Sequence, residues 1–150
     1  MSQPSKSPAA EIAEWHAELA RCVDGVQYGR AKALFHPDVV NFSTASTMLH
    51  GVDELRERQW RRVWHTIEDF RFDMDQIVSA ASADGAIAWG IAIWHSTGID
   101  KYGKKFERPG RATTTYARDA KTGRLVATHI HFSLFPGTPE KSFGKKPEHF

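Results

Sequence analysis

The stretch GAIAWGIAIWHST (residues 85–97) constrains this chain more than any other. Read with a period of two, its odd positions hold Ile87, Trp89, Ile91 and Ile93. Its even positions hold Ala86, Ala88, Gly90, Ala92 and Trp94. Side chains alternate across a strand, so neither face of this one is polar. Such a strand must be covered on both sides. A chain of 150 residues has material for one domain and one core.

The rest of the sequence supplies one cover. Ser7-Pro8 reads as an N-cap with proline in the first helical turn. Ile12, Trp15, Leu19, Cys22 and Val23 then repeat at helical spacing until Asp24-Gly25. A second short helix is predicted from about Val26 to Phe35, ending before His36-Pro37 because proline disfavours helical geometry in the preceding residue. After an extended piece through Val39, Val40 and Phe42, Gly51 and Asp53 open a third helix, with Leu55, Trp60, Val63, Trp64 and Ile67 on its apolar side.

From residue 69 the period changes to two. DFRFDMD (69–75) alternates Phe70, Phe72 and Met74 with charged residues, a strand with one wet face. GRATTTYARD (110–119) and GRLVATHIHFSLF (123–135) read as a hairpin joined around Lys121-Thr122-Gly123. Helices followed by an antiparallel meander make an α+β domain with helices on one sheet face. A second copy of the chain is the economical cover for the other, which predicts a homodimer. The domain is expected over 11–136, with an N-terminal extension at 1–10. The segment 137–150, which combines Pro, Gly and Lys without a period, is expected as a flexible tail.

Composition narrows the function classes. The formal charge is +2, so nothing demands a nucleic-acid partner, and the run Arg56, Arg58, Arg61, Arg62 reads as the wet side of a helix. The single Cys22 rules out an internal disulfide and fits a reducing compartment. It falls in an amphipathic helix, where a buried, inert thiol is expected. No segment approaches ~18 consecutive apolar residues, and the N-terminus has no long apolar run after Lys6. The expected compartment is therefore the cytoplasm, with no membrane partner.

The order of elements and particular residues resemble the NTF2-like superfamily, a cone-shaped α+β fold that includes SnoaL-like polyketide cyclases and ketosteroid isomerases. Within it the chain is similar to the association domain of calcium/calmodulin-dependent kinase II and its bacterial SnoaL-like relatives. The likeness rests on Arg111-Ala-Thr113, on His129-Ile-His131-Phe-Ser133, and on ALFHPDVVNF (33–42), and it spans about Glu11 to Pro136. The resemblance implies an internal pocket and either cofactor-free isomerase, cyclase, dehydratase or lyase chemistry or a non-catalytic binding and assembly role. It also implies departures. Ser43 falls where ketosteroid isomerases carry a basic aspartate, and Thr114 or Thr115 where they carry an acid. Ala92, Thr114 and Phe132 fall at the arginine positions of the association domain, and Leu55 at a pocket histidine. A less polar pocket, suited to a small apolar or aromatic molecule, is the expectation.

Two faces then follow from the alternation. The even face, with small side chains at Ala88, Gly90 and Ala92, is the expected pocket, walled by Trp94 and Tyr116 and joined by Thr114, Ile130, Phe132, Leu55 and Trp15. The competing reading is that Trp15, Trp60 or Trp64 fill that space as core. The odd face carries Arg111, Thr113, His129, His131 and Ser133. A His-x-His pair supplies two zinc ligands where three or four are needed, so hydrogen-bonded structure under a dimer partner is favoured over metal or catalysis. No cofactor and no metal site is predicted. For acid–base chemistry the chain offers Tyr116, His95, Asp38 and Asn41 as candidates, together with Ser43 and His50, none fixed by a motif.

Overall fold

The computed structural model describes residues 6–150. Helix α1 (Pro8–Asp24) begins as its cap chemistry requires: Ser7 is extended and its hydroxyl accepts from the Ala10 N–H at 3.2 Å. Of the expected extension at 1–10, residues 1–5 lie outside the described residues and Pro8–Ala10 form the first turn of α1. Ile12, Trp15, Leu19, Cys22 and Val23 are all buried, the apolar stripe anticipated from the spacing. Val26 has φ 52°, and α2 is a short piece, Tyr28–Lys32. Strand β1 (Phe35–Ser43) therefore starts where the second helix was expected still to run, and β2 (Ser46–His50) turns back on it.

Gly51 (φ 86°) opens the third helical segment in a conformation that favours glycine. It runs as α3 (Val52–Leu55), a π-helical turn Arg56–Trp60, α4 (Arg61–Val63) and a 3-10 turn Trp64–Thr66. Trp60 and Trp64 stack at 4.7 Å on its inner side. On the outer side, Arg58 pairs with Glu54 and Arg61 with Glu57, each at 3.0 Å. The arginine run is thus a wet helix side.

The sheet follows as β3 (Glu68–Phe72), β4 (Val78–Ala81), β5 (Ile87–Ile99), β6 (Lys105–Glu107), β7 (Gly110–Arg118) and β8 (Leu125–Leu134). Its order is β2-β1-β8-β7-β5-β3, with β4 and β6 also on β5, and it curves without closing. All pairings are antiparallel except β1 with β8, which is parallel, so the sheet is mixed rather than a pure antiparallel meander. The cause is connectivity: β1 is inserted beside β8, and the helical segment carries the chain to the far edge. Three short strands, β2, β4 and β6, went unread because three to five residues carry too little alternation.

Two irregularities change faces. Met74 leaves the expected strand for a 3-10 turn and is 45% exposed, while Phe70 and Phe72 stay buried. On β8, Thr115 faces His129 but Tyr116 faces Ala127, so Thr128 is an extra, bulged residue. Its hydroxyl lies 2.8 Å from that of Thr115, and Ala127 takes the inward position that even numbering assigned to Thr128.

The segment after Pro136, expected from the sequence as a loose tail, is strapped to the body. Ser142 Oγ bonds the carbonyl of Thr66 and accepts from the Ile99 N–H at 2.8 Å. Lys146 N donates to the His65 carbonyl, and His149 exchanges backbone bonds with Val26 and Tyr28. Single hydrogen bonds of this kind leave no periodic trace in a sequence.

Candidate functional site

The concave face of the sheet has a filled end and a hollow end. At the filled end α1 descends onto the small residues of β5. A Cβ added at Gly90 would stand 3.0 Å from Ile12 Cγ2, 3.4 Å from His16 Cε1 and 3.6 Å from a Tyr116 ring carbon. Trp15 lies edge-on to Tyr116 at 5.2 Å and donates its indole N–H to the Leu34 carbonyl at 2.8 Å. His16 is fully buried, with Nδ1 2.8 Å from the Ile12 carbonyl, so Nδ1 carries the proton and Nε2 is left without a partner. Burial lowers its pKa more than that bond raises it. Burial likewise drives the Tyr116 phenol far above its ordinary range, despite the Thr114 hydroxyl beside it. Cys22 is pushed up to about 12, chiefly by burial, which leaves an inert thiol.

The hollow end lies further along the same strands. Trp94, Ile130 and Phe132 form its floor, Leu19 and Val23 of α1 one wall, and Leu55, Trp60 and Trp64 the other. They enclose a cavity of about 40 Å³, narrow beside the roughly 300–1,000 Å³ of pockets for drug-sized ligands. Trp94 is held by Phe70, stacked at 5.5 Å, and by Phe132 at 5.7 Å. It also lies flat on Gly110, where a Cβ would fall 2.1 Å from the indole and 2.3 Å from the Ser133 carbonyl oxygen. Only glycine fits under that ring.

The cavity is apolar with polar points. Asn41, 1% exposed, has neither amide atom hydrogen-bonded; Ser43 Oγ, Trp94 Nε1 and Arg108 Nε are also buried without partners. Gln59 accepts from the Ala45 N–H and donates to Thr44 Oγ1, both at 3.0 Å. Arg108, 2% exposed, donates from one Nη to the Glu140 carbonyl at 3.2 Å and reaches Thr44 Oγ1 at 3.5 Å. Its guanidinium sits 5.8 Å from the centre of the Trp94 ring. Burial draws its pKa down to about 10, opposed by the charge of Glu140, so it stays cationic at neutral pH. A second cleft of about 300 Å³ adjoins the cavity at Thr44, Val63 and Arg108 and is edged by Glu140, Lys141 and Ser142 of the tail.

The residues singled out from the sequence divide between places. Asn41, Leu55, Trp94, Ile130 and Phe132 line the cavity. Trp15, Ala92, Thr114 and Tyr116 are buried but do not line it; they belong to the filled end or to the sheet beneath it. Asp38 is exposed at the start of β1, its N–H donating to His36 Nδ1 at 3.0 Å. His95 lies on the opposite sheet face, with Nε2 3.0 Å from both carboxylate oxygens of Asp73. His129 Nδ1 contacts the Val40 carbonyl at 2.7 Å, Arg111 donates to Ser133 Oγ at 3.1 Å, and Phe42 stands edge-on to His129 and His131. No group of three or more His, Cys, Asp or Glu able to hold a metal occurs among the described residues.

Arg108 was missed. It stands in the short β6–β7 connection, before Pro109-Gly110, where an arginine reads as exposed loop. Ser96 fixes it: the Arg108 N–H donates to the Ser96 carbonyl at 2.8 Å, and Ser96 Oγ donates to the Arg108 carbonyl at 2.7 Å. A serine at an inward, even position of β5 was the one available signal.

A SnoaL-like domain model matches residues 15–132. The chain belongs to the SnoaL-like family. Its fold is that of the NTF2-like proteins. An NTF2-like superfamily protein from Salmonella enterica serovar Typhimurium is 20% identical, with a TM-score of 0.70 over 88% of this chain and 94% of that one. The association domain of calcium/calmodulin-dependent kinase II from C. elegans is 13% identical (TM-score 0.64, 83% and 93% covered). A type 2 hexachlorocyclohexane dehydrochlorinase is 14% identical (TM-score 0.67, 92% of each chain covered). No curated protein matches in sequence. No helix among the described residues is long and apolar enough to cross a membrane.

Proposed function

We propose that this SnoaL-like protein is a cytoplasmic homodimer whose hollow end binds a small, largely aromatic molecule. The observation that carries the reading is the unpartnered indole N–H of Trp94, buried in an apolar-walled cavity that is also lined by the equally unpartnered amide of Asn41. Buried polar groups are nearly always bonded, and each unpaired one costs on the order of 1–3 kcal/mol. A bound molecule that satisfies them recovers that cost. The aromatic walls suit a flat ligand, and a narrow cavity suits a small one.

Binding is favoured over proton-transfer catalysis because, among the described residues, the cavity lining contains no Asp, Glu or His. The enzymatic reading, cofactor-free isomerase or lyase chemistry, draws on one feature. Trp94 Nε1, Asn41 and Arg108 could together stabilise an oxyanion developing on a substrate that needs no protein base. The dehydrochlorinase among the structural neighbours keeps that reading in view.

The dimer is supported by the outer face of β5, where Ile87 is 64%, Trp89 39% and Ile91 43% exposed. That stripe is a surface a partner copy would cover. Light scattering should give twice the chain mass, falling to one chain in Trp89→Lys/Ile91→Lys; a monomeric wild type would remove the dimer. For the cavity, thermal shifts with a panel of small aromatic molecules should include stabilising ligands. Leu55→Phe, which fills the hollow end, should abolish those shifts while folding normally. Unchanged shifts in that variant would remove the cavity as the binding site.

A further inference from the structure

We infer that the ligand of this cavity is an anion, an aromatic or alkyl carboxylate (or a phenolate of the same shape), received by Arg108. The inference rests on the cavity being the binding site and adds the charge class of what it binds. It runs against the less polar pocket expected from the sequence, and the reason is one residue that the sequence did not reveal.

A cation buried to 2% exposure is rarely left without a counter-charge. Among the described residues Arg108 has none in contact. Its two hydrogen bonds go to a hydroxyl and a backbone carbonyl, the hydroxyl one at the outer limit of length, and its Nε has no partner at all. Glu140 is the nearest influence of opposite sign, and it offers its backbone oxygen, its side chain being on the exposed tail. A guanidinium presents five donors in a planar fork, matched to the two oxygens of a carboxylate. Here the fork is held rigidly: Ser96 clamps the backbone on both sides, and the Trp94 ring lies under the charge. A pre-set donor of this kind loses little freedom on binding.

The neighbours complete the recognition. Asn41 and Ser43 on β1 and Trp94 on β5 line the same cavity and bring four further unpartnered polar atoms, three of which can donate. The remaining walls are apolar and aromatic. An anionic head at the Arg108 end with a flat apolar body toward Trp60 and Trp64 satisfies both halves. The adjoining cleft reaches Arg108 from outside, past Thr44 and the tail, so a charged head can arrive there without crossing the apolar interior.

The test is a matched-pair titration by calorimetry on the full chain: isobutyrate and benzoate against isobutyramide and benzamide, at two salt concentrations. The expected result is that the carboxylates bind at least about tenfold more tightly than their amides, since charge-assisted hydrogen bonds exceed neutral ones. Arg108→Gln should remove that difference, so that acid and amide bind with the same affinity. Arg108→Lys, which keeps the charge, should retain part of it, and circular dichroism melts identify any variant that fails to fold. Equal binding of acid and amide to the wild type would overturn the anion inference while leaving the aromatic cavity intact. Binding of amides alone would do the same. Binding of none of the four, with Leu55→Phe indistinguishable from wild type, would overturn both readings.

Discussion

The two ends of the concave face share strand β5, yet one is solid and the other hollow. At the solid end β5 offers Ala88, Gly90 and Ala92, and α1 uses that room to come close, seating Ile12 and His16 against the sheet. At the hollow end β5 offers Trp94, which packs on Phe70 and Phe132 and floors the cavity that the third helical segment walls. Small residues on a covered strand therefore mark where a helix approaches, and large rigid ones mark where space remains. Unpaired polar atoms occur at both ends, but in different settings. At the solid end His16 Nε2, Thr114 Oγ1 and Tyr116 Oη are sealed among packed side chains; at the hollow end Asn41, Ser43, Trp94 and Arg108 stand unpaired around open volume.

The contrast is broken most forcefully at Gly110. A methyl group there would meet both the Trp94 ring and a backbone oxygen at well under contact distance. Gly110→Ala should cost about 3 kcal/mol or more, lowering the melting temperature by roughly 6–12 °C and displacing Trp94. A melt within a degree or two of wild type would mean that Trp94 is not pinned. A second variant weighs the two ends directly. Gly90→Val overpacks the solid end against Ile12 and should cost about 1–3 kcal/mol, whereas Leu55→Phe at the hollow end should cost under about 1 kcal/mol. Equal losses in denaturant titrations would erase the distinction.

A smaller effect concerns pH. His16 is buried neutral, and burial lowers its pKa below the ordinary 6.5. The unfolded chain therefore takes up more protons as pH drops below 6.5, so His16's contribution is complete above that value and is lost below it. The melting temperature should fall on acidification from 6.5, and His16→Phe should flatten that part of the profile. A parallel decline in wild type and variant would assign the acid sensitivity elsewhere.

The elements were legible where a pattern ran long enough to repeat. The stripe of α1, the two-faced strand β5 and the β7–β8 hairpin all declare themselves by period, and the His-x-His strand with Arg111-Ala-Thr113 points to the family. The outward polar set is also legible, since Arg111 and Ser133 do meet across strands. The cavity was only partly so. Leu55, Trp94, Ile130 and Phe132 follow from parity and resemblance and Asn41 only as an acid–base candidate, whereas Ala92, Thr114 and Tyr116 join them only if the small residues of that face leave volume with Tyr116 as its wall, and α1 takes that volume. The bulge at Thr128 shifts parity by one residue, and no residue type announces it. Arg108 is a loop residue whose burial depends on Ser96, Thr44 and the tail, three segments distant in sequence. Tertiary contacts of that kind have no local signature.

The five tryptophans allow the central claim to be read in one experiment. Each indole N–H gives its own signal in a nitrogen–proton correlation spectrum, assignable by single Trp→Phe changes. Trp94 lies in the cavity with its N–H free, and Trp60 and Trp64 form its wall; Trp15 is bonded to Leu34 at the solid end, and Trp89 is on the outer face. On titration with benzoate, the Trp94 signal should move most, Trp60 and Trp64 should follow, and Trp15 and Trp89 should stay in place. Movement of Trp15 or Trp89 with Trp94 unchanged would contradict the account.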